Sequence, residues 1–113
     1  MVDTWRNALY NKAVIKTFKD EPTQKIYQRQ PSRKLPPDIQ QVALRKLRMI
    51  NNATLLTDLR VPPANRLEKL DGDRAGQWSI RVNDQYPKSG MIWRICFEWR
   101  ESDAYAVEIV DYH

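Results

Sequence analysis

The sequence predicts an α+β domain in which an N-terminal strand and helices pack on a mainly antiparallel sheet. Three observations predict it. In one long stretch, apolar residues recur at helical spacing: Ile39, Val42, Ala43, Leu47 and Ile50. Farther on, apolar and polar residues alternate with the period of a half-buried strand. Trp78, Ile80 and Val82 alternate with Gln77, Ser79 and Arg81, and Trp93, Ile95, Phe97 and Trp99 with Arg94, Cys96, Glu98 and Arg100. Finally, the order of segments is strand, helices, then a run of strands separated by turn-forming residues, the pattern of a meander with its helices on one side.

A chain of 113 residues makes one domain and can hide roughly two-thirds of its unfolded surface. Four Trp and five Tyr within a 42% hydrophobic composition mark it as globular. Lys and Arg outnumber Asp and Glu by 19 to 14, for a formal charge of +5. That excess suits a polyanionic partner, although ordinary domains can be equally basic. With one Cys and one His, the chain lacks the roughly four N/S ligands of a structural zinc site, and no metal or other cofactor is expected. Cys96, set between apolar neighbours, reads as a buried thiol rather than a nucleophile. No apolar run approaches the roughly 20 residues of a membrane span. The N-terminus has no apolar leader core, so a cytoplasmic chain without a membrane partner is expected.

In chain order, residues 1–13 form an extension with no evident role. Residues 13–18 read as a first strand, closed by Asp20-Glu21-Pro22. Residues 23–29 suit a short helix and 30–37, with three prolines, a loop. Pro37 and Asp38 fit the first turn of the long helix, where a missing N–H is harmless and a negative charge meets the helix dipole. Arg45, Lys46 and Arg48 would form a solvated basic face, and Asn51-Asn52 weakens the helix end. One more turn is expected over 53–59 before Pro62-Pro63. Strand 66–70 then leads to the turn 71–76, where Gly72 and Gly76 can take positive φ cheaply. Strands 77–82, 91–100 and 104–110 follow, joined by a hairpin over 84–90 and a turn at 101–103.

Gly76-Gln77-Trp78-Ser79-Ile80, followed by Trp93-Arg94-Ile95-Cys96-Phe97 and a terminal Asp111-Tyr112-His113, resembles the HigB family of bacterial toxins. The likeness is greatest to the GraT-type branch of the RelE/ParE superfamily. It runs from the Val14-Ile15-Lys16-Thr17-Phe18 start to His113, so 14–113 is taken as the toxin domain. It implies a RelE-like fold and a small endonuclease of mRNA acting on translating ribosomes. It also implies neutralisation by a HigA/GraA-type helix-turn-helix antitoxin, with operator DNA reached only through the antitoxin complex. Three departures stand out. Many HigB proteins carry a histidine and a lysine where this chain has Glu68 and Asp71, although GraT-like members share the Arg66-Leu67-Glu68 pattern. The hairpin is lengthened over 86–92, and 1–13 has no counterpart.

Metal-free RNA cleavage needs a base for the ribose 2′-hydroxyl, cations for the phosphate and an acid for the leaving 5′-oxygen. On the resemblance, His113 is a base or acid, being the one side chain with an ordinary pKa near neutrality, and Glu68 is the alternative base. Arg94 is the phosphate clamp, with Arg81 and Arg74 beside it and Gln77 and Arg66 as further RNA contacts. Tyr112 could stack on a base, and Asp111 could orient His113 or an arginine. The plainer readings are an idle terminal histidine, and surface arginines paired with Glu68, Glu98 or Glu108. Trp78, Trp93 and Trp99 read as core. Two other functions compete with cleavage: a non-enzymatic ParE-like inhibitor of a protein such as gyrase, and an inactive partner kept for antitoxin binding.

Overall fold

A computed structural model of the chain describes residues 14–83 and 92–111. The 1–13 extension, the expected 84–90 hairpin, Met91 at the start of the expected 91–100 strand, Tyr112 and His113 lie outside the described residues.

Among the described residues, two helices pack on one face of a four-stranded antiparallel sheet of order β1-β2-β3-β4. Helix α1 spans Glu21–Tyr27. Asp20 Oδ1 accepts from the Thr23 N–H at 3.0 Å and caps it, so the Asp20-Glu21-Pro22 sequence starts a helix. Helix α2 spans Pro37–Asn52 with Pro37 in its first turn, and it buries Ile39, Ala43, Leu47 and Ile50. The strands are β1 (Glu68–Lys69), β2 (Gln77–Arg81), β3 (Trp93–Arg100) and β4 (Asp103–Asp111). Ile80, Ile95, Phe97, Val107 and Ile109 meet the α2 residues in the core. Trp93 is buried there, with Trp78 and Trp99 half-buried against the cluster.

The sheet departs from strict alternation at one point. Between Cys96 and Glu98 of β3, β4 runs through an extra residue, since Cys96 pairs with Glu108 and Glu98 with Tyr105. Ala106 sits at the irregularity with φ of 52°. The extra residue switches the parity of β4, so Ala104 before it and Val107 and Ile109 after it are all buried in the core. The Thr17 hydroxyl accepts from the Ala106 N–H at 2.7 Å and secures the kink.

Three expectations are corrected. The segment expected as a first strand lies beside β4 but makes only two isolated parallel bridges, Ile15 with Ala104 and Phe18 with Val107. Asn51, in the last turn of α2 where the helix end was expected, holds that segment: its Oδ1 accepts from the N–H groups of Val14 and Ile15 at 3.1 and 3.0 Å. The expected strand at 66–70 shortens to Glu68–Lys69, because Arg66 takes a left-handed conformation with φ of 46° after a short 3₁₀ turn at Pro63–Asn65. Lys46 is also not part of a solvated face. It is buried, and its Nζ donates to Asn65 Oδ1.

Candidate functional site

Residues paired directly across antiparallel strands share a face, so the register sorts the side chains. Glu68, Ser79, Cys96 and Glu108 form one row across all four strands, and Arg81, Arg94 and Val110 form the next. Both rows lie on the face turned away from the helix-packed residues Ile80, Ile95 and Ile109.

Arg81 and Arg94 stand directly opposite each other, 9% and 4% exposed. Two like charges in that position repel, and burial raises the cost of each. One guanidinium nitrogen of Arg94, Nη2, lies 3.2 Å from Glu68 Oε1 and donates to the Arg66 carbonyl at 3.3 Å. The left-handed turn at Arg66 presents that carbonyl, so the distortion that shortens β1 also fixes Arg94. Glu68 is half exposed, with 51% of its side-chain surface open. It can therefore remain hydrated while touching a buried arginine.

Arg74 is committed elsewhere. The 3₁₀ turn Gly72–Arg74, with Gly72 at φ of 62° and Gly76 at 91°, brings its Nη1 to Glu108 Oε1 at 2.9 Å and Gln77 Oε1 at 3.1 Å. Lys19 reaches the same Glu108 oxygen at 3.6 Å. Cys96 is fully buried between Ser79 and Glu108, and burial pushes its thiol pKa up, which keeps it protonated. The Ser79 hydroxyl is also buried on this face, with no hydrogen-bond partner among the described residues.

The structure thus brings together Arg94, Arg81, Glu68 and the backbone of Arg66, with Arg74 and Gln77 linked to them through the neighbouring row. Asp111 pairs with Trp93, which puts it in register with the helix-side face, opposite to Arg94. His113 and Tyr112 lie outside the described residues. Sequence reasoning missed Asn65, which is fully buried and donates to the Leu59 carbonyl at 3.2 Å while accepting from Lys46. Its one signal was position: a small amide next to two prolines and immediately before Arg66.

Helices on one face of an antiparallel sheet, with two directly opposed buried arginines on the other, define an α+β domain. A family profile described as the RelE-like toxin of the type II toxin-antitoxin system HigB matches residues 16–113. The chain belongs to this HigB-like toxin family. It is 39% identical over 83 residues to Toxin HigB-1 of Vibrio cholerae, covering 73% of this chain and 80% of that protein. To Endoribonuclease HigB of Proteus vulgaris it is 32% identical over 101 residues, covering 88% of this chain and all of the relative. An uncharacterized Haemophilus influenzae protein is 41% identical over 70 residues, 61% of this chain and 69% of its own length. As a type II toxin, the chain implies an antitoxin as its partner.

Proposed function

We propose that this toxin is a metal-independent endoribonuclease that cuts mRNA during translation in the cytoplasm and is silenced by a HigA/GraA-type helix-turn-helix antitoxin. The observation that carries this reading is the opposed, buried pair Arg81 and Arg94. A phosphodiester seated between them would relieve their mutual repulsion and accept several charge-assisted hydrogen bonds. The name of the Proteus vulgaris relative supports the choice of RNA.

In this scheme a base takes the proton of the ribose 2′-hydroxyl and the freed oxygen attacks phosphorus. The P–O5′ bond breaks, and an acid protonates the departing 5′-oxygen. Glu68 and His113 divide the two proton transfers. Arg94, shared between Glu68 and the phosphate, couples the base side of the site to the charge that develops on phosphorus. Tyr112 is assigned to stacking on a base of the RNA, and Asp111 to orienting His113. Residues 14–113 constitute the toxin domain.

Primer extension on transcripts in a reconstituted translation reaction tests this. New 5′ ends are expected with the wild-type toxin and should vanish when His113 is removed or with Arg94→Ala. Intact transcripts, together with inhibited DNA supercoiling by gyrase, would overturn the proposal.

A further inference from the structure

A second cationic feature adjoins the arginine pair. Where α2, the 3₁₀ turn Pro63–Asn65 and the end of β2 meet, a cavity of about 270 Å3 is lined by Arg45, Lys46, Arg66 and Arg81, together with Val42 and Val82. Its described lining contains four cations and no carboxylate. Arg45, Lys46 and Arg66 make no ion pair among the described residues. Arg81 belongs both to this cavity and to the opposed pair with Arg94. Whatever anion occupies one is therefore next to the other.

Lys46 makes the arrangement more telling. It is 7% exposed, and its amino group meets the neutral amide of Asn65 rather than an acid. Burial and the nearby Arg45 lower its pKa. The charge of an incoming anion would oppose both effects by favouring the ammonium form. Drug-sized ligands fill roughly 300–1,000 Å3, so this cavity suits one phosphate with part of its sugar rather than a whole cofactor.

We propose that the cavity seats a second phosphodiester of the RNA strand whose scissile phosphate lies on Arg81 and Arg94, held by Arg45, Lys46 and Arg66. The proposal rests on the nuclease reading and adds to it a second point of attachment. Two contacts along one strand fix its direction and register, which one phosphate clamp cannot do.

The test is salt-dependent binding of a fluorescent, fully 2′-O-methylated RNA that cannot be cut, followed by anisotropy. Arg45 and Arg66 are exposed, so the double variant Arg45→Gln, Arg66→Gln removes charge without opening the core. Each phosphate contact to a single strand contributes about 0.7 to the slope of log K against log salt. The double variant should flatten the slope by about that amount and weaken binding about tenfold. Arg33→Gln, on the loop between the helices, should leave both unchanged. A methylphosphonate at one linkage beside the scissile position should weaken wild-type binding and have no further effect on the double variant.

A wild-type slope in the double variant would overturn the proposal. So would a thermal shift induced by inorganic phosphate that the double variant loses while its RNA slope stays intact, because that marks a site for free phosphate. Primer extension separates the two readings: absence of new 5′ ends with wild type defeats the nuclease, whereas normal ends with an unchanged slope defeat only the second seat.

Discussion

Replacing Arg94 by methionine separates a catalytic arginine from a structural one. The side chain is 5% exposed and faces Arg81 across the strand pair, while its acidic contact, Glu68, is 51% exposed. Methionine keeps most of the apolar stem and removes the charge. Four consequences for stability follow. Repulsion with Arg81 disappears, and so does the desolvation of a buried guanidinium; replacing buried ionic groups by apolar ones is often neutral or stabilising by about 1–4 kcal/mol. The lost contact with Glu68 is minor, because a half-exposed carboxylate rehydrates, and such screened pairs contribute about 0–1 kcal/mol. The Arg66 carbonyl loses a donor, a cost of about 1 kcal/mol.

For these contacts among the described residues, the terms sum to a change near zero or a modest gain in folding stability. Catalysis should respond very differently. Removing one preorganised donor from a developing anion typically costs about 2.7–4 kcal/mol, or about 10² to 10³ in rate. Arg94→Met should therefore match or exceed the wild-type urea midpoint while its yield of new 5′ ends falls at least a hundredfold. A loss of about 3 kcal/mol in stability would show that Arg94 holds the fold, and undiminished cleavage would remove it from the site.

Three other substitutions probe the scaffold. Because the Lys46 pKa is lowered in the folded chain, there is a pH window below the ordinary 10.5 in which the folded protein has released a proton that the unfolded chain retains. Raising pH through that window favours the folded state, so wild-type stability relative to Lys46→Met should rise toward pH 10, read from paired urea titrations; a flat or falling difference would refute the buried charge. Glu101 and Ser102, with φ of 50° and 67°, form a two-residue turn between Arg100 and Asp103. Left-handed non-glycine residues carry strain of about 1–3 kcal/mol, so Ser102→Gly should stabilise by about 1 kcal/mol, near 4 °C in melting temperature. Asn51→Ala deprives the Val14 and Ile15 N–H groups of their acceptor and should lower stability by about 2 kcal/mol in denaturant titrations.

The parts of this fold legible in the sequence are those governed by periodicity. The apolar spacing of α2, the alternation in β2 and β3, the glycines at positive φ and the buried Cys96 follow from rules that act over a few residues. What escaped was set by tertiary context. Nothing near Lys46 signals burial, because its partner Asn65 arrives from another element. The parity switch in β4 occurs at Ala106, an ordinary residue in an extended run, and depends on a hydroxyl from Thr17. The tight turn at Glu101-Ser102, by contrast, falls within the turn expected over 101–103, although it lacks the usual glycine or asparagine.

Arg81 and Arg94 were visible as charges on alternating strands, but their direct opposition was not. It depends on the β2–β3 register, and no local pattern fixes that when the intervening hairpin is long. The same register explains why the site lies where it does. Shifting β3 by one residue would carry Arg94 into the core against α2 and bring Trp93 or Ile95 to the outer face. The apolar burial that stabilises β3 therefore also holds two cations together against their repulsion. In this protein the hydrophobic core supplies the free energy that keeps the two arginines of the proposed anion seat together, and Arg66, in its left-handed turn before β1, supplies a carbonyl that Arg94 donates to.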